Sequence, residues 1–381
     1  MLFKFRSEIH CRSTCLKILL SGLILSALVF VPQAQAVVVK GMYRVEFPVP
    51  DQTRAVRTAV FNKGLEEVLI RASGRRNILK EIKTGSASAY VQQYSYAEQQ
   101  QPIADGGVDS RGQLKPAVPK SYLLTVEYNP GKIVQLLRDN NQPVWGVYRN
   151  QALMWLAVRD GTSRYVLKDT DNSLLKDAAD DSMQRRGVPL VWPVYDKQDR
   201  NKMRFVDAWA AFEKPVKEAS KRYTTGPVIV GRMSWNGSKW NGDWSLFVEN
   251  ASYTWTLSST DYNALIAEAI DLSADEIGKH YAVIERQGIN EPGLLIEVGN
   301  IDSVEDFRAV QTFLNKLTAV RQTSVSRVEN NRVEFVVDLR GDMNDFVRQV
   351  STDRALQPVV KDIQPGTSPE QSAQLKYLYR Q

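Results

Sequence analysis

Leu153-Met154-Trp155-Leu156-Ala157-Val158 is an unbroken apolar run. A run of this length reads as a strand buried on both faces. It therefore sits inside an α/β module rather than at the surface of a half-wet sheet. The flanking sequence supplies the rest of that module. Asn172 to Arg186 reads as a helix closed by Gly187, with Pro189 just beyond. Val188 to Val194 is strand-like. Val206 to Tyr223 has a helical pattern that Pro215 should break or restart. Val228 to Met233 opens a meander, with further strands at Trp244–Phe247 and Tyr253–Leu257. Asn236-Gly237 is its hairpin turn. Ser259 or Thr260 caps a helix running to about Arg286.

Upstream, Val37 to Val49 alternates in part and reads as a strand. Asp51 is the expected N-cap of a helix carrying Val56, Val60, Leu65, Val68 and Leu69, which stops at Ser73-Gly74. A second helix is expected over Ser86 to Tyr96. Gln99 to Lys120 is a polar connection, Tyr122 to Tyr128 a strand, and Pro130 to Leu137 a short helix. Downstream, Leu294–Val298, a helix capped by Ser303, strands at Val320–Val328 and Val333–Leu339, and a helix at Met343–Val350 give the order βαββα. The pattern near Leu356 to Val360 suggests an edge strand, and the tail after Asp362 should be frayed. The expected fold is multidomain α/β and α+β: two mixed-sheet α/β modules, then a small ferredoxin-like βαββα unit. The expected bounds are 37–142, 143–290 and 291–362, with a flexible tail at 363–381.

Residues 1–36 look like a cleavable secretory signal. Lys4, Arg6, Arg12 and Lys17 precede the apolar stretch Ile18–Val31, and Ala34-Gln35-Ala36 gives a small-x-small cleavage site. Export to the periplasm is expected. Both cysteines, Cys11 and Cys15, and one of two histidines, His10, lie in this segment. The mature chain would hold no thiol and a single histidine, His280. Thiol catalysis, thiolate metal sites and multi-histidine metal sites are then excluded, and no cofactor is expected. The net charge of +6 includes four basic and one acidic group in residues 1–36, leaving +3. Without a Lys/Arg block, nothing tracks nucleic acid. No second long apolar run appears, so no integral membrane span is expected after cleavage.

Arg186-Gly187-Val188-Pro189-Leu190-Val191-Trp192-Pro193-Val194-Tyr195-Asp196 is the most distinctive stretch. With Leu65–Gly74, Val91–Tyr96, Pro143-Val144-Trp145 and Ala219–Tyr223, it resembles the exported proteobacterial family DUF2066, over about Val39 to Leu257. No catalytic residue carries over. Ala219 to Leu257 is also similar, at the level of fold, to envelope domains of the TolB N-terminal and curli-secretion type. That likeness implies partner docking in the periplasm, as analogy only.

Three groups of residues are candidates for function. Trp235, Trp240, Trp244 and Trp255 could share one face of the meander and dock a protein, peptide or sugar, with Trp240 the most exposed. The alternative is packing over the helix around Trp209 and Phe212. Arg71, Arg75 and Arg76 lie at a helix end, where positive charge suits the dipole and an anion site is conceivable. Arg185-Arg186 has the same double reading. Asp177, Asp180, Asp181, Asp196 and Asp199 read as a solvated acidic face without calcium-loop spacing. His280 reads as a surface or cap residue. The leading expectation is a non-enzymatic envelope scaffold that docks a protein partner. The second is a binding protein using a cleft between the first two domains, lined by Tyr94, Tyr96 or Trp192. A carboxylate-dependent hydrolase comes third.

Overall fold

The computed structural model describes residues 37–99, 121–224, 226–285, 293–352, 355–359 and 375–380. Residues 1–36, with the expected signal peptide, and nearly all of the Gln99–Lys120 connection lie outside the described residues.

The first module contains β1 (Val37–Val38), β2 (Arg44–Val49), α1 (Arg54–Ser73), β3 (Val91–Gln99), β4 (Ser121–Tyr128) and α2 (Pro130–Asp139). The strand expected from Val37 to Val49 is split. Gly41 turns the chain at φ 66°, β1 pairs elsewhere, and β2 joins an antiparallel sheet ordered β2-β4-β3. α1 lays Leu65, Val68 and Leu69 on Leu124 and Val126. Its cap is Thr53, two residues past the expected Asp51; the Asp51 carboxylate instead accepts the Thr53 N–H. Gly74 ends α1 in the left-handed conformation, φ 75°. The helix expected over Ser86–Tyr96 is a single 3-10 turn at Ala87–Ala89 followed by β3. Pairing with β4 overrides the local pattern, because Tyr94 and Tyr96 then meet Phe61 and Tyr122 edge-on at 5.4–6.3 Å.

The second module holds β5 (Tyr148–Arg149), β6 (Ala152–Asp160), β7 (Ser163–Val166), α3 (Leu174–Arg186), β8 (Leu190–Val191), α4 (Lys197–Lys202), α5 (Phe205–Ala210), α6 (Glu213–Ser220), β9 (Val228–Trp235), β10 (Trp240–Val248), β11 (Ala251–Ser259) and α7 (Tyr262–Tyr281). Its mixed sheet runs β11-β10-β9-β6-β7, with β8 also on β6. The apolar run is β6. Met154, Leu156 and Val158 join the core under α3 and α7, while Leu153, Trp155 and Ala157 join the core under α5 and α6. The buried Trp155 indole donates to Ser220 Oγ at 3.0 Å. Asn236-Gly237 turns β9 into β10. The helix expected over Val206–Tyr223 is two helices. The break is at Ala211, φ 50°, while Pro215 sits in the first turn of α6, where no intrahelical N–H is needed. Asp261 rather than Ser259 or Thr260 caps α7, which stops at Tyr281.

The third module comprises β12 (Leu294–Gly299), α8 (Val304–Lys316), β13 (Val320–Glu329), β14 (Arg332–Leu339), α9 (Met343–Thr352), β15 (Leu356–Pro358) and β16 (Leu375–Tyr379). The βαββα order is present, but the sheet is five-stranded, β13-β14-β12-β16-β15. β16 comes from the tail expected to be frayed. It inserts parallel to β12, which departs from a four-stranded ferredoxin-like sheet. Tyr377 buries its ring and Lys376 pairs with Glu297 at 2.8 Å, which accounts for the ordering. Glu285 ties Arg138 of the first module to Arg321 and Arg340 of the third at 3.2 Å each.

Candidate functional site

Three arginines lie where the first and second modules meet. Arg149, at the end of β5, is fully buried and spends its whole guanidinium on backbone. Nε donates to Gly146 O, Nη1 to Arg186 O and Gly187 O, and Nη2 to Arg71 O and Trp145 O, at 2.6–3.2 Å. The cation stands 3.8 Å from the Trp145 ring centre. Burial pushes its pKa down, and the charges of Arg71 and Arg186 act the same way. Arg71 donates to Gly41 O, Met42 O and Arg44 O, and through Nε to Arg185 O. Arg186 differs in having carboxylate partners, Asp271 at 3.1 Å and Asp275 at 2.6 Å, besides Gly74 O. Gly187, φ 66°, makes room for this packing: a Cβ there would fall 2.5 Å from Arg71 Cγ and 2.9 Å from Arg149 Nη1.

Above the junction is a groove of about 920 Å³. This volume is at the upper end of the range for ligand sites, roughly 300–1,000 Å³. One wall is β1 and β2, including Val38, Val45 and Phe47. The other is the end of α3 and the segment through Val188, Pro189 and Leu190. Val38 is an exposed apolar residue on this wall. Glu67 of α1 faces the groove with Arg71 one turn further on. Among the described residues no hydrogen bond or ion pair holds its carboxylate. Burial pushes its pKa up, against the opposing pull of Arg71, Lys63 and Arg185.

That shift has a testable sign. A carboxyl whose pKa is raised on folding destabilises the fold above its unfolded pKa and has no effect below it. Glu67→Gln should therefore raise the urea midpoint at pH 7, and the gain should disappear below about pH 4, under the unfolded pKa of Glu. A functional carboxylate held against stability behaves in this way.

The candidate tryptophans converge on one side of the meander. Trp244 is buried over Gly231 of the neighbouring strand, and among the described residues no group accepts its indole N–H. A Cβ on Gly231 would lie 2.5 Å from the Trp244 ring. Trp255, opposite Trp244, and Trp240 pack at the rim of the core under α7. Trp235 leans on Trp240, ring centres 5.5 Å apart. All three are half-buried, so Trp240 is not an open anchor. The packing partner is α7 rather than the helix around Trp209, which belongs to the opposite core, and Phe212 is exposed. Trp240→Ala should cost about 1–2 kcal/mol of stability, the amount for losing part of a buried aromatic, as read by urea denaturation.

The other sequence candidates are in structural contacts. Arg75 pairs with Glu81 and Arg76 with Glu268 and Asp275. Asp180 accepts the Trp192 indole N–H at 2.7 Å and binds Lys176. Asp199 is not solvated. It is buried, accepts the Tyr195 N–H and the Tyr223 hydroxyl, and shares Arg222 with Asp196. Arg222 holds Asp196 down at about 2. His280 is half-buried, 3.2 Å from Tyr253 Oη. No group of three or more His, Cys, Asp or Glu suited to a metal ion occurs among the described residues. Nor is any described helix long and apolar enough to cross a membrane. The sequence reading missed Arg149. Its only signal was position, a lone arginine beside the double-sided strand.

The molecule is thus a multi-module α/β protein with a groove at its first junction. Residues 293–380 match the family model DUF2066, so the chain carries the DUF2066 signature in its third module. Residues 36–146 match a second model, Domain of unknown function (DUF8605). The family expected from the sequence is therefore present, but the match lies downstream of the motifs over Val39–Leu257 that suggested it. No match was found among curated proteins or among solved structures, so the likeness to TolB-type domains has no support.

Proposed function

We propose that this chain is a non-enzymatic accessory protein of the cell envelope, exported to the periplasm, which works by holding a partner in the groove between its first two modules. The groove itself carries this reading. It is of ligand-site size, its walls mix apolar residues such as Val38 and Leu190 with the charged Lys40, Asp180, Asp181 and Arg185, and among the described residues no group bonds the Glu67 carboxylate. The signal-like pattern of residues 1–36 supports export. The side-chain inventory supports binding over chemistry, since the one histidine of the mature chain is engaged with Tyr253.

This reading takes up the sequence expectation of a binding cleft between the first two modules, with Val38, Glu67 and Leu190 in the lining in place of Tyr94, Tyr96 and Trp192. It is favoured over the tryptophan meander because Trp235, Trp240 and Trp255 are partly spent on core packing. The test is crosslinking of tagged protein in its native host, followed by fractionation. A reproducible envelope partner that is lost in Leu190→Arg and kept in Trp240→Ala supports the groove. Recovery from the cytosol, or a partner lost only in Trp240→Ala, contradicts it.

A further inference from the structure

Building on that reading of the groove, we infer that its occupant is an extended peptide, which adds as a strand to the open edge of β2 and sets a basic side chain against Glu67. The register of β2 fixes which backbone groups are free. Tyr128 N–H donates to Tyr43 O at 2.8 Å, and Val45 lies opposite Val126 and Phe47 opposite Leu124. In an antiparallel pair, bonded and non-bonded positions alternate. Tyr43, Val45, Phe47 and Val49 therefore bond to β4, while Arg44, Glu46 and Pro48 turn their backbone polar groups outward.

On the outward side, Arg44 N–H is taken by Gly41 O at 3.0 Å and Arg44 O by Arg71 Nη1 at 3.1 Å. Pro48 has no N–H. What remains is the N–H and C=O of Glu46 and the C=O of Pro48, with Glu46 in the groove wall. No strand covers this edge among the described residues. Open edges are usually blunted, and Pro48 and the Arg44 contacts do so at both ends. The opening at Glu46 is left between them, in a groove that Val38, Val188, Pro189 and Leu190 also line.

A peptide strand supplies what this window lacks: alternating N–H and C=O groups for Glu46, and side chains of period two for the seats around Val38 and Leu190. Glu67 adds the charge preference. Arg71, Lys63 and Arg185 act on its charge from a distance, but among the described residues none bonds its carboxylate, so a Lys or Arg of the peptide gains a charge-assisted hydrogen bond there.

The probe is a phage library of random dodecapeptides panned on the protein purified from its host. Enriched sequences should alternate apolar residues and carry a Lys or Arg. Synthetic copies should bind at least tenfold more weakly when N-methylated on one alternate set of residues, and far less affected on the other. Glu67→Gln should weaken basic peptides at least tenfold, with thermal unfolding at pH 7 confirming that the variant is folded. Leu190→Arg should remove binding. Absence of enrichment, or indifference to both methylation patterns, overturns the strand. Peptides that are lost in Leu190→Arg yet indifferent to methylation leave the groove standing and remove only the strand. Peptides indifferent to Leu190→Arg remove both.

Discussion

Arg149→Met should lower the unfolding free energy by about 2–4 kcal/mol, because buried carbonyls are left without a donor while the desolvation cost of the cation is removed. Methionine fills much of the volume, so the effect isolates the polar contacts. Five carbonyl contacts, from Gly146, Trp145, Arg71, Arg186 and Gly187, lose their donor in a site closed to water. Each unsatisfied buried group costs about 1–3 kcal/mol, reduced where the backbone relaxes to admit water. Arg149→Lys should recover only part, because an ammonium offers three donors without the planar fork and stacks less well on Trp145. Arg204→Met is the control. Its side chain is 71% exposed and pairs with Asp207 on the surface, so the change should stay within about 0.5 kcal/mol. Urea midpoints at constant slope decide the matter. A loss below 1 kcal/mol for Arg149→Met would mean that the junction does not depend on this cation.

Gly278→Ala should cost about 2–3 kcal/mol although it puts a better helix former inside α7. Propensity alone favours alanine by about 1 kcal/mol. Against this, a Cβ at 278 falls 2.7 Å from Gly74 O and 2.9 Å from Gly74 Cα. Both are backbone atoms, so no rotamer relieves the contact, and the ends of α1 and α7 must separate. Separation also strains the Arg186 contacts to Gly74 O and Asp275. Stabilisation by about 1 kcal/mol, the propensity value, would show that the two helices do not touch in solution.

The second module was the most legible part of the chain. Its central strand is an unbroken apolar run, and Gly187 and Asn236-Gly237 are strong local punctuation. Both signals are local, so no knowledge of the partner elements was needed. Errors came where distant pairing decides. β3 is a strand because β4 lies beside it, and β16 is ordered because β12 and β15 leave a slot for it. Neither fact is written in the polar segments themselves. The groove was legible only as a cleft between two modules. Its unpaired carboxylate and open strand edge arise when α1, β2 and the end of α3 converge from separate parts of the chain. The tryptophans were legible as a cluster but not in their burial. Clustering in sequence predicts a shared face, yet whether α7 covers that face is a tertiary fact.

The most direct test of the groove as the working site is a photo-crosslinking amino acid placed singly at Leu190 and at Trp240, in the protein expressed in its native host. Leu190 lines the groove and Trp240 marks the meander. The expected result is an adduct of defined mass at Leu190 that is not formed from Trp240. An adduct from Trp240 with none from Leu190 would contradict it and return the binding surface to the meander.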